Sequence, residues 1–256
     1  MIPKLIHLCW LSGDPYPEKI RYCIDSWKKH LPDYEIMLWD TKRFDVNSTP
    51  WTKQAFEAKK YAFAADYIRL YALYNYGGIY FDSDVEVIKS FDEFLHLPYF
   101  AGLEGKPCGV ELAAFGAEKG TGWIKFMLDY YEGRNFIKED GEMDMISMPE
   151  LMGKILQREY YWTQIDSLDE FDPDPKRLCL LPVDWFCAHP LEVYSYYKHQ
   201  YYITKNTHSI HHFSNSWMPS EYVGGPLHKL YYKITGKDWK FDNKRFRLYA
   251  DRKNKK

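Results

Sequence analysis

The 256-residue chain has no paired cysteines of the C-x-x-C kind. Its five (Cys9, Cys23, Cys108, Cys179 and Cys187) are odd in number and scattered. A zinc ribbon or a disulfide framework is therefore not expected, and a reducing, cytoplasmic setting fits. No run approaches the roughly 18 apolar residues of a membrane span. The apolar start is too short for a signal-peptide core and is interrupted by Pro3 and His7. A basic excess is also missing, since 34 Lys and Arg face 36 Asp and Glu. Generic binding to nucleic acid is thereby excluded.

Charge is unevenly spread. Residues 237–256 hold nine Lys or Arg against three Asp, net +6, which leaves the other 236 residues at net −8. Trp239, Phe241, Phe246 and Tyr249 interleave the basic residues, a pattern suited to an anionic membrane surface as well as to a solvated tail. Aromatics are plentiful, with 23 Tyr and 9 Trp, as in proteins that stack on sugars or bases, although most such rings serve packing. Residues 1–236 read as one domain and 237–256 as a basic aromatic tail.

Residues 3–10 read as a buried strand. Ile20, Cys23, Ile24, Trp27 and Leu31 follow as a helical stripe ended by Pro32, and residues 34–39 form a second strand. Strand–helix–strand in under forty residues opens an α/β fold with parallel strands. A helical region spans about residues 52–76, closed by Gly77-Gly78, and runs into a central strand, IYFDSDVEVI, at 79–88. Later strands are expected at 99–103, 110–116, 177–183 and 208–213. Helices are expected at 121–132 and 149–159, with a last short helix closed by Gly236.

Asp82-Ser83-Asp84 ends the apolar run Ile79-Tyr80-Phe81. In a strand, i and i+2 share a face, so the two carboxylates would converge and hold Mn²⁺ or Mg²⁺ between them. A solvated acidic strand end is the alternative. Asp66 and Arg69, three apart on the preceding helix, lie in an almost wholly apolar segment, where a merely superficial ion pair is out of place. The late segment Thr207–Trp217 offers imidazoles, an amide, hydroxyls and an indole close together.

The run from Lys59 to Val87 resembles the signature of the DXD sugar transferases of glycosyltransferase family 32. The opening IPKLIHLCW, the segment PEKIRYCIDSWKKHLPDYEI and the late SIHHFSNSW are similar to that family in the same order. The family includes bacterial capsule and O-antigen enzymes and fungal mannosyltransferases. A more distant resemblance is to the large clostridial toxin glucosyltransferases. These resemblances imply a GT-A type α/β fold with one mixed sheet flanked by helices. They also imply transfer, with retention, of a hexose or N-acetylhexosamine from a nucleotide sugar, UDP-linked by expectation. The expected acceptor is a saccharide of bacterial surface polysaccharide, lipid-linked forms included, met at the inner membrane leaflet.

By the same resemblance Asp84 binds the metal, Asp82 touches the ribose and the metal shell, and Asp66 with Arg69 holds sugar hydroxyls and a phosphate. Leu8 and Trp10 would contact the nucleotide, Trp10 by stacking on the base. His212 and Asn215 would complete the metal shell, with His211 and Ser214 as rivals, and Trp217 would reach the diphosphate. Glu104 and Glu111 are candidate acceptor-side acids that otherwise read as solvated loop residues. A carbohydrate-binding module and a metal-dependent nucleotidyltransferase are the competing functional readings. The phosphatase type with an early D-x-D fits poorly, because Glu86 stands where Thr or Val is needed.

Overall fold

The strand β1 (Leu5–Cys9) buries Ile6, His7 and Leu8, and helix α1 (Glu18–His30) carries the chain back to β2 (Glu35–Trp39). The two strands are parallel, paired from Leu5 with Glu35 to Cys9 with Trp39. Helix α1 buries the expected stripe of Ile20, Cys23, Ile24 and Trp27. Glu18 in its first turn and Lys28, Lys29 and His30 in its last complement the helix dipole. A computed structural model describes residues 1–104, 109–188 and 203–214.

The expected helix over 52–76 is two helices. Thr49 caps α2 (Pro50–Glu57) by accepting from Thr52 N–H, with Pro50 in the first turn. The break falls at Lys59, which takes a left-handed backbone (φ 56°), while Lys60 N–H reaches Ala55 O at 2.8 Å. No glycine marks this stop, so periodicity alone ran across it. Helix α3 (Tyr61–Tyr76) is buried on most of its circumference, Asp66 and Arg69 included. Gly77 ends it and Gly78 (φ 112°) starts β3 (Gly78–Phe81). A Cβ on Gly78 would stand 2.5 Å from Leu5 O, so only glycine allows β3 to approach β1 this closely.

The strand expected at 79–88 is also divided. β3 runs parallel to β1 and ends at Phe81; Asp82–Asp84 form a turn, and β4 (Val85–Val87) leaves the sheet. β5 (Tyr99–Glu104) and β6 (Gly109–Ala117) complete a mixed five-stranded sheet in the order β2-β1-β3-β6-β5, β6 being antiparallel to both neighbours. α4 (Gly122–Tyr130) and α5 (Met148–Leu156) follow. β7 (Tyr161–Gln164), which periodicity did not show, pairs in parallel with β8 (Arg177–Leu180). The short α6 (Val183–Phe186) precedes β9 (Ser209–His211), which pairs antiparallel with β4. The α/β class expected from the sequence is therefore present, with helices flanking one mixed central sheet.

Met1–Phe213 forms one compact unit, and Ser214–Lys256 is grouped apart from it. The helix before Gly236, the 236/237 boundary and the basic tail lie outside the described residues. No helix among the described residues is long and apolar enough to cross a membrane.

His7 joins the parallel strands and titrates in consequence. It is fully buried; Nε2 lies 2.7 Å from Gly77 O, and Nδ1 accepts from Trp39 Nε1 at 3.0 Å. A proton on Nδ1 would face the indole N–H, and burial pushes the imidazole down to about 4. The folded chain thus keeps His7 neutral where the unfolded chain, titrating near 6.5, already takes up a proton. Its contribution is complete above pH 6.5 and disappears as pH falls toward 4. Urea unfolding at pH 7 and pH 4.5 should show the wild type losing about 2 kcal/mol more than His7→Gln. Equal losses would show that His7 does not carry this dependence.

Candidate active site

The parallel strands β2, β1 and β3 all end on one side of the sheet, where α/β proteins leave their binding crevice. Asp40, Trp10 and Asp82 stand at these three ends. Asp40 lines an open depression of about 580 Å³ with Leu38, Lys42 and Arg43. Trp10 is half-buried; its Nε1 donates to Asp14 O at 2.8 Å and its ring meets Tyr16 edge-on at 4.9 Å. Leu8 does not line this crevice. It is 2% exposed and belongs to the apolar core, so its side chain is no nucleotide contact.

Arg69 anchors the next layer. It is 6% exposed, and its Nη2 meets Asp66 Oδ1 at 2.9 Å and Asp82 Oδ1 at 3.3 Å. Nη1 donates to Leu112 O at 2.9 Å, and the guanidinium sits 4.7 Å from the Tyr80 ring centre. Tyr80 in turn donates its hydroxyl to Asp82 Oδ1 at 2.9 Å. The sequence spacing correctly brought Asp66 and Arg69 together, and the fold adds that Arg69 bridges Asp66 to Asp82. Burial drives the Asp66 carboxyl up to about 7, against the pull of Arg69. Asp82 is likewise raised by burial, opposed by Arg69 and reinforced by Asp84. Burial works against the Arg69 charge too, but Asp82, Tyr80 and Asp66 outweigh it and keep the guanidinium protonated.

Asp82 and Asp84 converge, though not by strand alternation. They flank a turn closed by Val85 N–H donating to Asp82 O at 3.0 Å, and Asp82 N–H makes the last ladder bond, to Ala113 O at 2.7 Å. β9 then brings His211 opposite Val85, with Nε2 3.7 Å from Asp84 Oδ1.

His211, not His212, is the imidazole beside the paired acids. Adjacent residues at a strand end face opposite sides, and His212 turns its Nε2 to Glu86 Oε2 at 3.2 Å. Glu86 also accepts from Tyr22 at 3.0 Å, so His212 belongs to a buried network between α1 and β4. Asn215 and Trp217 lie outside the described residues. His208 is fully buried against Ser90 O, at 2.6 Å, and packs among Phe91, Phe94 and Trp185.

Glu111 is not a solvated loop acid. It is 1% exposed within β6, accepts from Ala113 N–H at 2.7 Å and faces His211 Nδ1 at 3.3 Å. Burial alone would raise its carboxyl, but His211 holds it below the usual range. Glu104, at the end of β5, is pushed up to about 7 by burial and by Glu111. Burial also opposes the His211 charge; Glu111 and Asp84 overcome that and lift the imidazole to about 9. Sequence reading missed the burial of Glu111 because a lone acid in an apolar strand carries no local sign of its partner.

Asp82, Asp84 and His211 each present a ligand atom, all within 4.8 Å of one another. Two carboxylates and an imidazole suit Mn²⁺ or Mg²⁺ with positions left for phosphate oxygens. The donor set therefore fits the metal that the resemblance implies.

Residues 17–101 match the glycosyltransferase sugar-binding region containing the DXD motif. The match, one third of the chain, holds Asp66, Arg69, Asp82 and Asp84 and stops short of Glu111 and His211. Among curated relatives, inositol phosphoceramide mannosyltransferase 3 of Schizosaccharomyces pombe is 35% identical over 46% of this chain and 34% of its own. Mannosyl phosphorylinositol ceramide synthase SUR1 of Saccharomyces cerevisiae is 32% identical over 46% of this chain and 31% of its own. The chain thus spans about one third of the length of these relatives. The solved PaToxG glycosyltransferase is similar at 24% identity and TM-score 0.41, over 50% of this chain and 59% of that one. The DXD region of this chain is thus similar to that of glycosyltransferases, and neither fungal relative is named for bacterial polysaccharide.

Proposed function

We propose that the chain is a GT-A type, metal-dependent, retaining glycosyltransferase that moves a sugar from a nucleotide donor to a hydroxyl of a saccharide or lipid-linked acceptor. One observation supports this reading above the others: Asp82, Asp84 and His211 converge at the C-terminal end of the parallel strands. The glycosyltransferase match over this same DXD segment agrees with it. The fungal relatives are named for transfer of mannose to inositol phosphoceramide, so the acceptor is stated here only as a hydroxyl-bearing saccharide or lipid headgroup.

Asp82, Asp84 and His211 would hold Mn²⁺ or Mg²⁺, which when bound neutralises the charge on a departing diphosphate. The remaining work falls to the chain. Arg69 keeps Asp82 aimed at the metal position and balances its charge, and Tyr80 fixes the same carboxylate oxygen. Arg69 is thus occupied with Asp66, Asp82 and Leu112, which makes it a positioning residue for Asp82. Trp10 and the depression beside Asp40 offer the base a half-buried aromatic face next to the strand ends.

Donor hydrolysis over a panel of UDP- and GDP-sugars tests the proposal. Free sugar should appear from one donor with Mn²⁺ and stop with EDTA. If every donor stays intact and none raises the melting temperature, the binding-module reading displaces this one.

A further inference from the structure

His211 presents its two ring nitrogens to two different clusters. Nε2 faces Asp84, as described; Nδ1 faces Glu111 Oε2 at 3.3 Å. Cys187, just after α6, completes the second cluster. Its carbonyl accepts from His211 N–H at 3.1 Å, and its thiol donates to the Glu111 carboxylate. Ligand atoms of Glu111, Cys187 and His211 all lie within 4.8 Å of one another, with Glu111 and Cys187 1% exposed.

The two donor sets differ in kind. Asp82 and Asp84 are hard oxygen ligands, whereas Cys187 supplies a soft sulfur beside an imidazole and one carboxylate. A set of Cys, His and Glu with a fourth position for water is the tetrahedral pattern of zinc. A tetrahedral zinc with nitrogen and oxygen at about 2.0–2.1 Å sets those two atoms about 3.3 Å apart. The spacing of Nδ1 and Oε2 already meets that requirement. The site adjoins the crevice through His211, whose side chain is 13% exposed.

We propose that Glu111, Cys187 and His211 form a zinc-type site, and that zinc there competes with the hard cation at Asp82 and Asp84 for the same imidazole. A neutral imidazole has one lone pair on nitrogen to give. Two dications on opposite edges of the ring would need an imidazolate between them and would repel each other at short range. Zinc is therefore an inhibitor that acts by withdrawing His211. The competition rests on the reading of Asp82, Asp84 and His211 above, while zinc binding itself does not.

Cobalt(II) added to the full chain reads thiolate ligation directly, through its near-ultraviolet charge-transfer band. The band is expected in the wild type and in Asp84→Asn, and absent in Cys187→Ser. Calorimetric titration with zinc should weaken at least about tenfold in Cys187→Ser and in Glu111→Gln. Cys187→Ala, with its melting temperature measured, guards against a folding defect. Manganese held by the wild type, followed by electron paramagnetic resonance, should be released by zinc, but not in Cys187→Ser. A cobalt band that persists in Cys187→Ser, or no zinc uptake by the wild type, overturns the site. Manganese undisturbed by bound zinc overturns the shared imidazole. A cobalt band with no manganese uptake at all instead sinks the Asp82–Asp84–His211 reading and leaves the zinc site standing.

Discussion

Asp84→Asn should lower metal-dependent donor cleavage by about 100- to 1,000-fold, the scale of losing a principal electrostatic stabiliser of a developing charge. The substitution keeps the shape of the side chain and removes only its charge. The Asp84 carbonyl is held by His212 N–H at 3.2 Å, so the turn has a backbone anchor independent of the carboxylate. Asp84 also raises the Asp82 carboxyl by repulsion. Removing it relieves a like-charge contact with Asp82 but also takes a partner from the His211 charge, so the melting temperature of the metal-free protein should change little. Manganese affinity should fall together with the rate. Retained manganese binding and turnover in Asp84→Asn would refute the metal site as drawn.

Arg69→Leu should cost about 3–5 kcal/mol of folding stability, as expected when one partner of a buried ion cluster is removed. Asp66 is 7% exposed and has no adequate water to replace Arg69, and the Asp82 side chain, 27% exposed, is only partly solvated. Leu112 O would lose its guanidinium donor as well. Urea unfolding of Arg69→Leu, Asp66→Asn and the double variant reads the effect. The double variant should recover part of the loss, because neutralising Asp66 removes one of the stranded charges. A loss under about 1 kcal/mol for Arg69→Leu would place this pair with ordinary surface ion pairs.

Both predictions rest on residues that were legible before any coordinates. Asp66 and Arg69 stand out because a charged pair at i and i+3 interrupts an apolar helix. Asp82 and Asp84 stand out because two acids end a β-rich run. The stripe of α1 was readable for the same reason, since a helix repeats its buried face every three to four residues. Gly77-Gly78 was read as a helix stop; its second role, letting β3 approach β1, involves Leu5, over seventy residues away.

His211 could not be separated from its neighbour by such patterns. Which of two adjacent histidines meets Asp84 depends on the register of β9 against β4, set where Val85 pairs with His211. A slip of one residue would exchange the two faces. The turn at Asp82–Asp84 is equally nonlocal: β4 leaves the main sheet because β9, more than a hundred residues later, offers it a partner. The burial of Glu111 follows from His211 and Cys187 arriving over β6 from distant segments.

By itself the sequence determined the α/β class, the parallel opening and four acidic and basic groups of the site, because those features repeat or adjoin within a few residues. Only the tertiary structure decided that His211 joins Asp82 and Asp84, that Arg69 holds Asp82, and that Glu111 and Cys187 flank the same imidazole. Those contacts depend on strand register and on the burial of charges among remote partners, which no local period encodes.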